Sequence, residues 1–236
     1  MRIPTITGTI KRRFLINYRI DPDVLARILP PPFKPKLHNG YAIGGVCLIR
    51  LEKIRPEILP LPCGMSSENA AHRFAVTWDD KEGVYIPRRD SDSLMNQVAG
   101  GRLFPGVHHA ASFEINESDA DFDFSMKSDD EKVHVAFSGS QSETFPEESC
   151  FSSLEESSKF FEAGSLGYSD TKGGKIYDGL SLVTNEWAVS SFDMKEVFSS
   201  YFADKSIFPE GSVEYDHALF MLDIRHKWRQ EDDLCC

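Results

Sequence analysis

This sequence lacks a long apolar run, a diagnostic pattern of cysteines and an excess of positive charge, and each absence excludes a class of protein. The run from Gly40 to Ile49, which carries no charged or amide side chain, has ten residues and is too short to span a bilayer. The five cysteines form no C-x-x-C pair and no secretory ladder, which favours reduced thiols in a cytoplasmic protein. The formal net charge is −11 and the isoelectric point about 5.1. We therefore expect no membrane and no nucleic acid as partner.

What the chain does contain is enough apolar material for one globular domain. Of its 236 residues, 41% are hydrophobic and 27% are charged, which is too apolar for a disordered chain of this charge. No repeat or linker stands out, so we predict a single domain over residues 1–230 and a disordered tail at 231–236. The basic run 11–13 interrupts any signal-peptide pattern. For Cys235 and Cys236, a functionless frayed end is favoured over a prenylated tail.

The charge is unevenly distributed along the chain. Residues 1–110 hold 16 Lys+Arg against 10 Asp+Glu, whereas residues 111–236 hold 10 against 27. One interpretation is that the basic half builds an arginine-lined site for an anionic group, since guanidinium binds carboxylate in a bidentate way. The other is that the two halves pair across one domain, with acids on the surface. We favour the second, because charge blocks usually are solvated faces.

Strand patterns dominate the chain, with short helices between them. Near-alternation of apolar residues predicts a strand from Thr9 to Ile20. Further strands are predicted over 41–54, 68–78, 83–90, 107–115, 122–126, 133–137 and 213–228. Helices are predicted from their capping residues over 22–29, 93–99 and 153–163. Asp178-Gly179 indicates a turn before another strand. The sequence therefore predicts an α+β fold with a large, curved, mostly antiparallel sheet and a few short helices.

The sequence offers no diagnostic metal or nucleophile motif. His108 and His109 are adjacent, so on a strand they point to opposite faces and cannot share an ion in the usual way. The segment 119–123 resembles the start of a calcium loop, but Phe124 stands where that loop needs glycine. Neither G-x-S-x-G nor the spacing of a phosphate-binding loop is present. We expect no metal and no cofactor.

Polar residues embedded in strand patterns form the unusual constellation of this chain. They are Glu68, His72, Arg73, Arg88, Arg89, Asp90, Arg102, His108 and His109. Burying a charge without a partner is costly, so such side chains either pair internally or face a pocket. Both interpretations remain open: Glu68 and Asp90 neutralise Arg73 and Arg88, or the group faces a ligand. Alternation places Arg88 and Arg89 on opposite faces of one strand.

Several longer segments resemble a known family. Residues 14–33 read as a strand, a helix and a proline run, and four further motifs are distinctive. These are S-S-E-N-A-A-H-R (66–73), G-V-Y-I-P-R-R-D (83–90), G-G-R-L-F-P-G-V-H-H (100–109) and F-F-E-A-G-S-L-G-Y (160–168). Over about residues 1–228 the chain resembles the acetoacetate decarboxylase-like superfamily, and within it an uncharacterised bacterial branch, domain of unknown function 2071. The resemblance implies a cone-shaped sheet around a small-molecule cavity. It also leaves a homo-oligomer open, since the family often assembles.

The same resemblance limits the chemistry. The true decarboxylases use a lysine that forms a Schiff base with a β-keto acid, its pKa lowered by an adjacent lysine. Here no lysine stands between Lys81 and Lys127. Met95 and Asn96 fall about where the lysine pair would stand. The resemblance therefore implies that amine catalysis from that position is absent.

These observations lead to an expectation of a site for a small anionic molecule. We expect the protein to bind or act on a small carboxylate or keto acid in a central cavity, without a Schiff-base lysine. The expected acid–base residues are Glu68, His72 and His108, of which Glu68 matches the region of a family pocket glutamate. The expected anion-binding residues are Arg12, Arg73, Arg88, Arg89 and Arg102. The alternatives are a non-catalytic small-molecule-binding protein and a structural protein with a collapsed cavity.

Overall fold

Strands make up most of the structure. The computed structural model describes residues 5–58, 64–93, 106–118, 121–171 and 176–235. Within these ranges the helices are α1 (Pro22–Ile28), α2 (Leu154–Ala163) and α3 (Ser200–Ala203). The strands are β1 (Ile6–Ile20), β2 (Lys34–Pro35), β3 (Leu37–His38), β4 (Tyr41–Pro56), β5 (Met65–Trp78), β6 (Lys81–Ser91), β7 (His108–Glu117), β8 (Asp121–Ser128), β9 (His134–Ser142), β10 (Leu166–Asp170), β11 (Ile176–Thr184), β12 (Ser190–Ser199), β13 (Val213–Gln230) and β14 (Leu234–Cys235). The predicted α+β class with few short helices is confirmed.

Local capping explains where the two longer helices begin. Asp21 accepts hydrogen bonds from the backbone N–H groups of Asp23 and Val24 at 2.8 and 3.3 Å, which starts α1. Ser153 accepts the N–H of Glu156 at 3.2 Å at the start of α2. The Glu156 carboxylate in turn accepts the backbone N–H of Ser152, which completes a reciprocal capping arrangement. Both helices therefore form where the sequence predicts them.

Nine strands close into a barrel. Their order around the circuit is β6, β7, β8, β9, β12, β13, β1, β4 and β5, and β5 pairs back onto β6. Eight of the nine neighbouring pairs are antiparallel, and β6 with β7 is the parallel pair. Closure of this kind satisfies the edges that an open sheet would expose. The predicted curved, mostly antiparallel sheet is confirmed.

A two-stranded arm, β10 with β11, leaves the barrel on one side. β10 pairs in parallel with residues 84–86 of β6, just before the segment 89–91 that pairs with β7. β11 pairs with residues 226–230 of β13, beyond the segment 218–220 that pairs with β12. The arm therefore connects β6 to β13 across one face of the strands β13, β1, β4, β5 and β6, which we call the shared strands. The barrel interior lies on their other face.

Aromatic side chains fill the barrel interior. The ring centroid of Phe14 lies 4.8 Å from those of Phe137 and Phe220 and 5.1 Å from that of Phe192. Phe122 adds an edge contact to Phe14 at 5.2 Å. Such ring pairs each contribute about 0.5–1.5 kcal/mol beyond the area that they bury. This packing fills the barrel interior, and the cavity described below lies on the other face of the shared strands.

Two segments differ from the sequence-based expectation. Asp178 and Gly179 lie inside β11 and pair with β10, so the turn predicted at this dipeptide is wrong. Near the C-terminus, where disorder was expected, Leu234 and Cys235 form β14 and pair with Tyr177 and Ile176. The helix predicted over 93–99 lies almost entirely outside the described residues. In the part of the chain that is described, no helix has the length and apolar character needed to cross a membrane.

Candidate functional site

Alternation along the shared strands sorts the polar residues onto two faces. On β5, Glu68 and His72 point into the barrel, while Arg73 points to the arm side. The register of β5 with β6 places Arg88 opposite His72. Arg89, one residue further along β6, shares the face of Arg73. The structure therefore contains two separate polar clusters, one on each face.

The cluster on the barrel face is neutralised internally. Glu68 Oε1 accepts hydrogen bonds from Arg12 Nη2 at 3.0 Å and from Arg50 Nη1 at 2.9 Å. Arg12 Nε also lies 3.2 Å from Glu117 Oε2. The side chains of Arg12 and Glu68 are only 4% and 8% exposed, so the pair is a buried one. Each charge compensates the other, and Glu68 pairs with Arg12 and Arg50 rather than with Arg73.

A second neutralised pair lies nearby on the same face. Arg88 Nη2 lies 2.7 Å from Asp90 Oδ1 and 2.8 Å from Asp130 Oδ1. This is the internal pairing of Arg88 with Asp90 that the sequence offered as the alternative to ligand binding. His72 is fully buried beside them, and within the described part of the chain neither of its ring nitrogens has a hydrogen-bond partner. Burial, assisted by the charge of Arg88, lowers the pKa of His72 to about 3, so its imidazole is neutral at physiological pH.

A cavity of about 120 Å³ lies between the shared strands and the arm. Its charged wall includes Arg13 on β1, Arg73 on β5 and Arg89 on β6. Asp90 also lines the cavity, but its carboxylate is paired with Arg88. Its apolar wall includes Phe161, Leu180, Leu182, Trp187 and Trp228. Drug-sized ligands occupy sites of roughly 300–1,000 Å³, whereas a cavity of about 150 Å³ holds one benzene molecule. The cavity therefore suits a ligand with few non-hydrogen atoms.

Among the described residues, two guanidinium groups of this wall, those of Arg13 and Arg73, have a buried hydrogen-bond donor without an acceptor. Arg13 donates from Nε to the Sγ of Cys47 at 3.1 Å, but its buried Nη1 has no acceptor. Arg73 donates from Nη2 to Asn17 Oδ1 at 2.6 Å, but its buried Nε has no acceptor. Among the described residues, no carboxylate forms an ion pair with either arginine or with Arg89. An unsatisfied buried N–H costs about 1–3 kcal/mol, so an acceptor placed at this wall would remove that cost.

The positive charge of the cavity persists at neutral pH. Burial lowers the pKa of Arg73 to about 10, opposed by Cys47 and assisted by the nearby charge of Arg13. Burial also lowers the pKa of Arg89 to about 10, although Cys47 and Asp178 act in the opposite direction. Both guanidiniums remain protonated at pH 7. A bound anion would compensate charges that the protein itself leaves uncompensated.

A series of buried, hydrogen-bonded side chains fixes the position of Arg73 on the side away from the cavity. Asn17 accepts the hydrogen bond from Arg73, and its own Nδ2 lies 3.1 Å from His217 Nε2. His217 Nδ1 lies 2.5 Å from Asp216 Oδ2, and Ser157 Oγ lies 2.7 Å from His217 Nε2. Asp216, His217 and Ser157 thus have the hydrogen-bond order of a hydrolase triad. Ser157 and His217 are fully buried and do not line the cavity, so this series positions Asn17 and Arg73.

The predicted site residues divide between the two faces. Three of them line the cavity: Arg73, Arg89 and His108. Four lie on the barrel face: Arg12, Glu68, His72 and Arg88. Arg102 lies outside the described residues. The acid–base and anion-binding roles expected for these side chains stay predictions.

Sequence reasoning missed Arg13 and Cys47, which both line the cavity. A signal for Arg13 was present, because the adjacent pair Arg12-Arg13 on a strand must place one guanidinium on each face. Nothing in the sequence marks Cys47, since it lies in an uninterrupted apolar run. Among the described residues, no group of three or more His, Cys, Asp or Glu side chains could hold a metal ion.

The fold has known counterparts, although no curated protein matches the sequence. An acetoacetate decarboxylase from Legionella pneumophila is 13% identical, with a TM-score of 0.61 over 98% of this chain and 88% of that one. An acetoacetate decarboxylase-like enzyme from Sphingomonas wittichii is 11% identical, with a TM-score of 0.60 over 100% and 94%. The enduracididine biosynthesis enzyme MppR, in complex with pyruvate, is 12% identical, with a TM-score of 0.59 over 100% and 91%.

These likenesses show that the chain has the acetoacetate decarboxylase-like fold. The family model for DUF2071, an uncharacterized conserved protein, matches residues 7–218. That match covers most of the barrel, including the three arginines of the cavity wall. The chain therefore belongs to the DUF2071 family.

Proposed function

We propose that this protein binds a small carboxylate in the cavity between the shared strands and the arm. The observation that carries the proposal is the set of buried guanidinium donors that have no acceptor, on Arg13 and Arg73. A carboxylate is a planar acceptor with two oxygens and matches the fork geometry of guanidinium. The apolar wall then contacts the rest of the ligand. The cavity volume limits that remainder to a short chain.

The likeness to MppR, which has been solved with pyruvate, supports a keto acid as the ligand class. Pyruvate is a carboxylate with a carbonyl group on the adjacent carbon, and it has few non-hydrogen atoms. One ligand carboxylate among the three arginines would also offset part of the free-energy cost of burying their positive charge. A neutral analogue of the same shape would make no such compensation. We therefore expect binding to depend on the negative charge of the ligand.

The proposed site works without a Schiff base. No lysine lines the cavity among the described residues, and none stands between Lys81 and Lys127 in the sequence. Treatment with borohydride in the presence of acetoacetate is therefore expected to label no lysine. A lysine that becomes covalently modified, identified by peptide mass spectrometry, would show that amine chemistry takes place after all.

Proton transfer at a bound keto acid would fall to His108 in this proposal. His108 lines the cavity and lies beside Arg89 in the register of β6 with β7. An imidazole ring can accept and donate a proton, so it can move one at the carbon next to a carbonyl. Exchange of the pyruvate methyl protons in heavy water, followed by NMR, tests this step. Catalysed exchange that is lost in His108→Gln indicates an enzyme, and binding without catalysed exchange indicates a binding protein.

Neighbouring arginines on opposite faces provide the matched experiment for binding. Arg89→Met removes a cavity guanidinium, whereas Arg88→Met removes one that is paired with Asp90 and Asp130. Titration calorimetry with pyruvate is expected to show a loss of affinity of about 10- to 100-fold for Arg89→Met, since charged hydrogen bonds contribute about 1.5–3 kcal/mol. Arg88→Met is expected to keep the affinity within about threefold while lowering stability. The opposite pattern would place the ligand on the barrel face.

A further inference from the structure

The cavity contains a thiol whose position suits covalent chemistry. Cys47 lies on β4 with 7% of its surface exposed, and its side chain lines the cavity. Its Sγ accepts a hydrogen bond from Arg13 Nε at 3.1 Å. Burial lowers the pKa of Arg73 and of Arg89, and Cys47 acts in the opposite direction on both. The sulfur is therefore within electrostatic reach of all three cavity arginines.

A second feature of the same cavity points to a ligand beside this thiol. Arg73 is 4% exposed, lines the same cavity, and has an Nε without an acceptor. An anion that accepts a hydrogen bond from this Nε is held beside Cys47 rather than beside any other described cysteine. Cys150 contacts Asp216, and burial together with that carboxylate raises the pKa of the Cys150 thiol to about 12. Cys235 is exposed to solvent and serves as a reference thiol.

We propose that Cys47 is the nucleophile of the cavity and adds reversibly to the carbonyl carbon of a bound 2-oxo acid. This inference rests on the proposed function, because the arginines must first hold the carboxylate. In the step, a sulfur–carbon bond forms and the carbonyl π bond opens. The electron pair of that bond moves to the oxygen, which takes up the proton that the thiol releases. No oxidant, reductant or further reactant is needed.

Carbon NMR with pyruvate labelled at its carbonyl carbon tests the adduct directly. The full-length protein is expected to give a new resonance in the tetrahedral carbon range, which disappears in Cys47→Ser and remains in Cys150→Ser. Calorimetry with pyruvate on the same samples reports binding separately. Binding without a Cys47-dependent resonance overturns the nucleophile and leaves the proposed function in place. Absence of binding to wild type overturns the proposed function itself.

Charge-selective alkylation gives a second, self-controlled measurement. Iodoacetate and iodoacetamide have nearly the same shape, but only iodoacetate is anionic. In a Cys236→Ser background, the ratio of the two alkylation rates at Cys47 is expected to exceed that at Cys235 by at least about tenfold, since one favourable charge pair near a protein surface is worth more than this factor. Arg89→Gln is expected to reduce the excess. Equal ratios at Cys47 and Cys235, or no alkylation of Cys47, would overturn the assignment.

Discussion

Replacing Glu68 by glutamine separates a structural role of this residue from a ligand-binding one. The carboxylate is buried and accepts hydrogen bonds from Arg12 and Arg50 at 3.0 and 2.9 Å. Glutamine keeps the size of the side chain but removes its charge. Arg12, which is 3% exposed, would then remain buried, and among the described residues its remaining ionic partner would be the partly exposed Glu117. We expect Glu68→Gln to destabilise the fold and to leave the cavity between the shared strands and the arm intact.

The magnitude follows from the burial of the pair. Removing one partner of a buried ion pair costs about 3–5 kcal/mol, because the other charge is left uncompensated. The remaining contact between Arg12 and Glu117 at 3.2 Å reduces this loss, so we expect the lower end, about 3 kcal/mol. For a chain of this size, each kcal/mol shifts the melting temperature by about 2–4 °C. The expected decrease in melting temperature is therefore roughly 6–12 °C.

A matched control lies on the neighbouring strand. Glu52 pairs with the same Arg50 at 3.1 Å, but both side chains are about a third exposed. Such an exposed pair contributes about 0–1 kcal/mol, so Glu52→Gln is expected to change the melting temperature by no more than about 4 °C. Calorimetric melting and pyruvate titration are measured on both variants. A Glu68→Gln protein with unchanged stability and lost pyruvate affinity would refute this reasoning and would make Glu68 a ligand contact.

Two pH-dependent predictions follow from buried titratable groups. Burial lowers the pKa of His72 to about 3, so between about pH 6.5 and 3 the unfolded chain binds a proton that the folded chain does not. Stability therefore falls as the pH is lowered through that window, by up to about 1.4 kcal/mol per pH unit. In urea titrations at pH 7 and 5, His72→Leu should lose this part of the dependence of stability on pH, and an unchanged dependence would contradict the prediction. Although burial alone would raise it, hydrogen bonds from His217, Ser149 and the Cys150 N–H lower the pKa of Asp216 to about 2. The contribution of Asp216 to stability is therefore present above about pH 4 and lost as the pH falls towards 2. Acid unfolding of Asp216→Asn, followed by circular dichroism, should lack the loss of stability that the wild type shows in this range. An acid-unfolding curve like that of the wild type would count against the prediction.

The grouping of side chains by face could be predicted from the sequence, but the function of each face could not. Alternation placed Arg88 and Arg89 on opposite sides of a strand, and the structure confirms this. In a barrel that carries an arm, however, both faces of the shared strands are covered. A period of two identifies neighbours on a face, whereas only tertiary structure shows that aromatic rings fill one side and leave a cavity on the other.

The arm itself was the hardest element to predict. β10 is five residues long, and β11 contains Asp178-Gly179, a dipeptide that is typical of turns. Here Gly179 instead allows close contact, because a Cβ at this position would lie 2.8 Å from the ring of Tyr168. The turn propensity of this dipeptide is therefore overridden by the packing of β11 against the neighbouring strand β10. Without the arm in place, the cavity has no second wall, so the site could not be located from sequence alone.

The structure offers two explanations for the uneven distribution of charge between the basic and the acidic half of the chain. Arg12 and Arg88 pair with Glu117 and Asp130, which is the pairing between basic and acidic halves that the sequence favoured. Arg13, Arg73 and Arg89 do not pair in this way and face the cavity. A surface arginine could leave its charge to water, but a buried one cannot. The basic half therefore holds more positive charge than the described residues neutralise in ion pairs, and this excess is concentrated at the cavity.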